Sequence, residues 1–131
     1  MQTSYASYFR DQTEKGMEVI WSNMATKHLE SILEYVEQEF GEKTAVKTLL
    51  KISDKVERIA KFPTSGIKND NYSTDLYLVR HVTIVPNIIY YLCYPDAIVI
   101  AAIVHTKQSP RTINAILRSF LDSYDRTGGM K

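Results

Sequence analysis

The sequence has few of the features that cross-link a chain or place it in a membrane. Cys93 is the only cysteine among 131 residues, so no disulfide can form within the chain. Its apolar neighbours favour a small buried residue over a reactive thiol. No run reaches the roughly 18 apolar residues that span a membrane, and the N-terminus lacks an apolar stretch of signal-peptide length. The expected compartment is therefore the cytoplasm, with no membrane association.

Motifs for metal or cofactor chemistry are also missing. The sequence shows no Cys/His spacing typical of a metal site, no glycine-rich phosphate loop and no Ser-His-Asp pattern. Neither sign of charge dominates, since the sequence contains 16 Lys and Arg and 15 Asp and Glu, which give a formal net charge of +1. This balance argues against a protein that coats nucleic acid by charge alone, although it leaves room for a local basic patch. We therefore expect no metal and no cofactor.

The sequence contains two adjacent segments with helical periodicity. Ser22 is a suitable N-cap, and Gly41 marks the end of the first segment. A second helix is expected from about Glu42 to Ala60, where Phe62-Pro63 stops it. The short connection predicts a helical hairpin. The apolar stripes of the two helices consist of Ala25, Leu29, Ile32, Leu33, Val36 and Phe40, and of Ala45, Leu49, Ile52, Val56 and Ile59.

The second half of the chain changes to strand-like sequence. We interpret residues 67–74 as a polar loop and residues 76–85, 88–94 and 97–104 as strands of an antiparallel meander. A short strand at residues 17–21 is expected to join this sheet. Ser109-Pro110 predicts the start of a last helix. This helix is expected to pack at the end of the sheet or to dock loosely, which leaves the other face of the sheet, or the groove beside the last helix, for a partner. The predicted fold class is α+β, in the order β-α-α-β-β-β-α, with a small, mainly antiparallel sheet, a helical hairpin on one face and a C-terminal helix.

The ends of the chain are expected to lie outside this domain. Residues 1–16 are mostly polar and end at Gly16, so we interpret them as an N-terminal appendage that is dispensable for folding. Residues 17–126 are the predicted domain, and residues 127–131 are interpreted as a flexible tail. The length is sufficient for one hydrophobic core and too short for two ordinary domains.

A set of linked features runs through the chain from Trp21 to Pro110. Trp21-Ser22 opens the first predicted helix, and Phe62-Pro63 with Gly66 forms an FPxxG ending of the second. The remaining features are Arg80, the run Ile88-Ile89-Tyr90-Tyr91, Asp96, Ile98, Ile100, Ile103, His105 and Pro110. Together they cover about two-thirds of the chain, and their order and spacing resemble the RelE/ParE superfamily of toxins from bacterial type II toxin–antitoxin systems. Two positions depart from the family pattern, since Leu92 stands where arginine is frequent, and Thr106-Lys107-Gln108 replaces a frequent basic pair.

The resemblance implies a toxin held inactive by a cognate antitoxin, with a role in growth inhibition and plasmid stabilization. RelE-like members cut messenger RNA on the ribosome, whereas ParE-like members poison DNA gyrase and need no catalytic side chain. Because the chain is balanced in charge and has Leu92 in place of arginine, we favour the ParE-like activity. The alternatives are a ribosome-dependent endoribonuclease and an inactive module that binds only the antitoxin. The oligomeric state does not follow from the sequence.

Three residues are the candidates for catalysis if the protein is a ribonuclease. His105 closes the last strand at the start of a loop, and histidine is a residue type that can exchange protons at physiological pH, although a structural or surface histidine is the favoured interpretation. Arg80 matches a position where the family often has a phosphate-binding or structural arginine, and an ion pair with Asp75 or Glu57 is the alternative. Lys107 completes the set.

Lys107 and Arg111 flank the start of the last helix and, with His105, form a candidate basic cluster for a nucleic acid or another target. Arg80 is the further candidate for target binding. The competing interpretation of the cluster is a solvated face. His28 is expected on the surface and His81 in a structural or solvated position. Tyr90 and Tyr91 should point to opposite faces of the sheet.

Overall fold

The computed structural model describes residues 16–125 and 129–130. Strand β1 (Glu18–Trp21) leads into helices α1 (Asn23–Phe40) and α2 (Glu42–Lys61). Strands β2 (Ile67–Lys68), β3 (Leu78–Ile84), β4 (Asn87–Cys93) and β5 (Ala97–His105) follow, then helix α3 (Pro110–Ser123) and the short strands β6 (Tyr124–Asp125) and β7 (Gly129–Met130). The predicted fold class is confirmed. The proposed appendage and tail lie largely outside the described residues.

The main sheet has the strand order β1-β5-β4-β3-β2. Strands β2 to β5 are antiparallel to their neighbours, whereas β1 runs parallel to β5, with Val19 opposite Ile98. Residues 67–74, expected to be a loop, contain β2 and a 3₁₀ turn at Asp70–Tyr72. A two-residue strand is too short to show an alternating pattern in the sequence. Its strand conformation is fixed by its pairing with β3.

The helical hairpin covers one face of the sheet. Leu29 of α1 and Val56 of α2 are fully buried there, against Ile89, Tyr91 and Ile100 from the sheet. Part of each apolar stripe read from the sequence therefore forms the first core, with Ile32, Leu33 and Leu49 half-buried against it, whereas Phe40 at the end of the α1 stripe is exposed. Gly41 joins the two helices with φ +95°, a left-handed conformation that favours glycine.

The last helix covers the opposite face. Leu117 and Phe120 are buried against Val79, Val99 and Val104, so the sheet has a second core. This corrects the expectation that α3 packs at the end of the sheet and leaves one face open. The 3₁₀ turn holds α3 as well, because the Tyr72 hydroxyl donates to Asn114 Oδ1 at 2.6 Å and the Arg118 guanidinium lies 4.8 Å from the Tyr72 ring centre.

A β-bulge joins the sheet to the start of α1. The register shifts between Tyr90, opposite Ala102, and Tyr91, opposite Ile100, which leaves Ala101 unpaired. The Ser22 hydroxyl donates to the Ala101 carbonyl at 3.0 Å and accepts the Ala25 N–H at 2.9 Å. One side chain therefore caps α1 and satisfies the bulge.

His28 supports the same strand. Its Nδ1 accepts the backbone N–H of Ile103 at 3.1 Å, and the side chain is half-buried, with burial lowering its pKa. The expectation of a surface histidine was wrong, because the bulge brings a backbone donor to the side of α1. The spacing of Ala25, His28 and Ile32 by three and four residues was the signal that could have placed it beside the apolar stripe.

Candidate functional site

A groove opens between the tip of the helical hairpin and the end of the sheet. It has a volume of about 590 Å³. The far half of α1 and the start of α2 form its walls, and the β3–β4 turn with the end of β5 forms its floor. Its lining residues are Ser31, Ile32, Tyr35, Val36, Phe40, Thr44, Thr48, Pro86, Asn87, Ile103 and His105. No Asp, Glu, Lys or Arg is among them.

The sequence leaves this groove open because the hairpin continues past the sheet. Val36 and Phe40 continue the apolar stripe of α1, but the sheet beneath ends at the Val85-Pro86 turn. Tyr35 is 60% exposed and Phe40 is 65% exposed, and their rings meet edge to face with centres 6.4 Å apart. Exposed aromatic side chains beside a concave apolar surface are typical of a protein-binding site.

His105 lies at the rim of this groove. Its side chain is exposed, its Nδ1 accepts the Lys107 N–H at 3.0 Å, and its own backbone N–H donates to Gln108 Oε1 at 2.9 Å. Lys107 and Arg111 are exposed, in the turn before α3 and in the first turn of α3. The structure thus brings His105, Lys107 and Arg111 into one short stretch at the end of β5.

Arg80 belongs to a different part of the molecule. It lies on β3 opposite Tyr91, and its Nη1 donates to the Gly66 carbonyl at 2.8 Å. Neither Asp75 nor Glu57 forms an ion pair with it, because the ion pair found within the described residues joins Lys68 and Asp70. The expected ion pair is therefore replaced by a hydrogen bond to the backbone.

Tyr91 explains the Phe-Pro-x-x-Gly segment. Its hydroxyl is buried, donates to the Pro63 carbonyl at 2.9 Å and accepts the Gly66 N–H at 2.9 Å. A Cβ atom at Gly66 would collide with that hydroxyl and would lie 2.8 Å from the His81 carbonyl oxygen. We name Pro63, Gly66, Arg80 and Tyr91 the sheet lock, since they fix the end of α2 to β3 and β4.

Burial around the sheet lock suppresses ionisation. Burial, and then the nearby Cys93, raise the pKa of the Tyr91 hydroxyl. Burial also raises the pKa of the half-buried Cys93 thiol, against the opposing effect of Arg80. Nearby on the sheet, burial lowers the pKa of His81, whose Nδ1 lies 2.8 Å from Asn69 Oδ1. Cys93 and His81 are thus both half-buried, where the sequence predicted a small buried residue for Cys93 and a structural or solvated position for His81.

The register of strands β3, β4 and β5 separates Arg80 from His105. Arg80 is opposite Tyr91 on β4, whereas His105 is opposite Asn87 at the start of the same strand. Tyr91 and Asn87 are about 13 Å apart along β4. In addition, β4 lies between β3 and β5, and each neighbouring pair of strands is about 4.8 Å apart. The sequence could not reveal this separation, because it depends on the register of three strands.

A family model described as "ParE toxin of type II toxin-antitoxin system, parDE" matches residues 19–110. A solved structure of the chromosomal ParDE toxin–antitoxin system from P. aeruginosa is similar, with a TM-score of 0.56 and 20% identity over 68% of this chain and 95% of that chain. A search of the curated proteins gave no match.

The hairpin on a mixed sheet has the same fold as that solved structure, and together with the family model it places the chain in the class of small RelE/ParE-type toxin domains. Within that class the match spans β1 to the start of α3, and the chain belongs to the ParE toxin family of type II toxin–antitoxin systems. None of the helices in the described part of the chain combines the length and apolar character needed to cross a membrane. The described residues also hold no His/Cys/Asp/Glu group that could bind a metal.

Proposed function

We propose that this toxin poisons DNA gyrase and that its cognate antitoxin neutralises it by filling the groove at the hairpin tip. Membership of the ParE family supports the gyrase target over messenger RNA. The observation that carries the choice is the separation of Arg80 from His105 by the strand register.

Cleavage of RNA by its own 2′-hydroxyl needs a base, a cation and an acid around one phosphate. The candidates for these roles are His105, Arg80 and Lys107. Arg80 is held in the sheet lock by its bond to Gly66, and His105 lies at the far end of β5. The three side chains do not surround one concave surface, so they support a non-catalytic mode of action better than a ribonuclease.

The direct test compares the two targets with the same protein preparation. With gyrase, ATP and supercoiled plasmid, the toxin should cause protein-linked double-strand breaks to accumulate. With ribosomes bound to messenger RNA, the transcript should stay intact. The variant His105→Ala should retain the gyrase effect. Site-specific cutting of the transcript by the wild type, lost in His105→Ala, would overturn the proposal. A protein with neither effect would be an inactive antitoxin-binding module.

The groove supports the second half of the proposal. Its lining contains no Asp, Glu, Lys or Arg, and Tyr35 and Phe40 are exposed beside it. A short apolar helix from the antitoxin would bury these rings, and its ordering on binding fits a segment that is disordered alone. An added strand is the other binding mode, but the outer strand β1 offers only four residues.

The groove is tested with two double variants of matched exposure. Tyr35→Ala with Phe40→Ala removes side chains that are 60% and 65% exposed at the groove. The control, Phe62→Ala with Leu76→Ala, removes side chains that are 55% and 74% exposed elsewhere. The first pair should weaken antitoxin binding in calorimetry at least tenfold, and the control less than threefold, on the scale of interface aromatics. Equal losses would place the antitoxin on another surface.

A further inference from the structure

The charges of the helical hairpin are segregated between its two helices. Helix α1 carries four glutamates and one lysine, whereas α2 carries six Lys and Arg against three acidic residues. The near-neutral total of the chain conceals this asymmetry. The two helices have opposite net charge, and the positive one presents its charged face to solvent.

The cations of α2 form a continuous row. Lys43, Lys47, Lys51 and Lys55 are spaced by four residues, which places them along one inclined ridge of a helix. The row rises about 6 Å from one lysine to the next and about 18 Å in all. Arg58 and Lys61 extend it. Five of the six side chains are exposed, and Lys55 is half-buried.

Within the described residues, no ion pair neutralises the row. Asp54 and Glu57 are on the same helix, yet no carboxylate among residues 16–125 lies within ion-pair distance of the six cations. The ion pair in that part of the chain, between Lys68 and Asp70, is in another segment. The acidic side chains Glu30, Glu34 and Glu37 of α1 instead line a cavity between the two helices, together with Val46 of α2, and none of the six cations is among its lining residues. The lysines are therefore available to an external polyanion.

We propose that the face of α2 formed by Lys43, Lys47, Lys51, Lys55, Arg58 and Lys61 binds the phosphate backbone of double-stranded DNA. A row about 18 Å long passes roughly five phosphates of one strand. An exposed convex helix fits the major groove of B-form DNA, which is about 12 Å wide. The deep, narrow major groove of A-form RNA does not admit side chains in this way.

The composition of the row predicts binding without sequence preference. Lysine contacts phosphates as a flexible point charge, whereas the bidentate contacts that read bases come mainly from Arg, Asn and Gln. The central positions of the row are lysines, and Arg58 is directed to the Phe62 ring, 5.5 Å from its centre. DNA binding by this face needs neither the antitoxin groove nor the sheet lock, so it goes beyond the function proposed above.

The test measures binding of the purified toxin to a fluorescein-labelled 20-base-pair duplex by anisotropy, without gyrase. About four phosphate contacts should weaken binding by on the order of a hundredfold between 50 and 200 mM salt. The triple variant Lys43→Gln, Lys47→Gln, Lys51→Gln should bind at least tenfold more weakly at 50 mM and lower the salt slope by about 2.7. The control, Lys68→Gln, Lys107→Gln, Arg111→Gln, loses the same formal charge elsewhere and should bind within threefold of the wild type.

Three outcomes would overturn the proposal. The control could lose as much affinity as the α2 variant, which would move the contact to the cluster at Lys107 and Arg111. The wild type could prefer an RNA duplex, or it could bind neither duplex at 50 mM salt, in which case an acidic protein surface becomes the better match for α2. The gyrase assay is independent, because breaks can accumulate whether or not the free toxin binds DNA.

Discussion

At the scale of single residues, two side chains do work that their sequence neighbourhood conceals. Tyr91 holds the segment after α2 through both a donated and an accepted hydrogen bond, and Arg80 holds the Gly66 carbonyl. The family resemblance marked Gly66 and Arg80, but the residues alone gave no reason for them. The reason is steric and polar contact across about 25 residues of sequence, and local patterns carry no such information.

A third side chain with a role that local sequence conceals is His28, and it predicts a pH effect on stability. Its Nδ1 accepts the Ile103 N–H only when the ring is neutral on that nitrogen, and burial lowers its pKa below the usual value. The folded state therefore binds fewer protons than the unfolded state. Neutral His28 makes its full contribution to the free energy of unfolding above the unfolded pKa of about 6.5. This contribution is lost progressively as the pH falls from there toward the pKa of the folded state.

Urea unfolding between pH 5 and pH 8 measures this effect. Wild-type stability should fall below about pH 6.5, and His28→Asn, which keeps an acceptor but does not titrate, should reduce the slope. The pKa of His81 is lowered by burial as well. The control His81→Asn should therefore keep the share of the pH dependence of stability that comes from His28. An unchanged slope in His28→Asn would show that its ring does not couple to the fold.

At the scale of elements, local signals predicted most boundaries. The sequence predicts Ser22 and Ser109 as N-caps, and in the structure each accepts a backbone N–H from the first turn of its helix. Gly41 and Pro63 were read as helix ends for similar local reasons. The features that the sequence did not show are β2, the bulge at Ala101 and the position of α3. Each depends on a neighbour distant in sequence, so periodicity could not reveal it.

The two caps provide a matched comparison. Ser22 is buried and also donates to the Ala101 carbonyl, whereas Ser109 is exposed and bonds within its own turn. Ser109→Ala should cost about 1 kcal/mol, the usual loss of an N-cap. Ser22→Ala should cost about 2 to 4 kcal/mol, because it also leaves a buried carbonyl unpaired. Equal losses in thermal or urea unfolding would mean that the bulge carbonyl finds another donor.

At the scale of the whole molecule, the sheet is the middle layer between two cores. The sequence predicted the core under the hairpin, since both stripes were legible. It misplaced the second, because α3 is expected at the end of the sheet and its apolar stripe does not by itself identify the surface that it covers. Phe120 and Leu117, each at most 2% exposed, decide the question, together with the stacking of Phe120 on Tyr124 with centres 4.8 Å apart.

The second core predicts a large effect of a residue beyond the matched family segment. Phe120→Ala should lower stability by about 3 to 5 kcal/mol, the usual range for a buried phenylalanine. The control Phe62→Ala removes a ring that is 55% exposed and should cost less than about 1 kcal/mol. Urea unfolding followed by circular dichroism measures both. A small loss in Phe120→Ala would mean that α3 is an accessory element rather than a layer of the fold.

The candidate site shows the same division between local and distant information. The cluster of His105, Lys107 and Arg111 was recognisable because its members are neighbours in the chain. The groove at the hairpin tip was not, since it is formed by two helices and a turn from separate segments. The separation of Arg80 from His105 likewise required the strand register.

The parallel pairing of β1 with β5 sets an order of events during synthesis. Ser22, at the end of β1, meets Ala101 across 79 residues of sequence. A ribosome adding about 5 to 20 residues per second needs roughly 4 to 16 s to make that length. Throughout this interval the nascent chain lacks the strand that its first strand must join. The toxin fold is therefore completed only when nearly the whole domain has emerged, and a transcript truncated before β5 encodes no folded toxin.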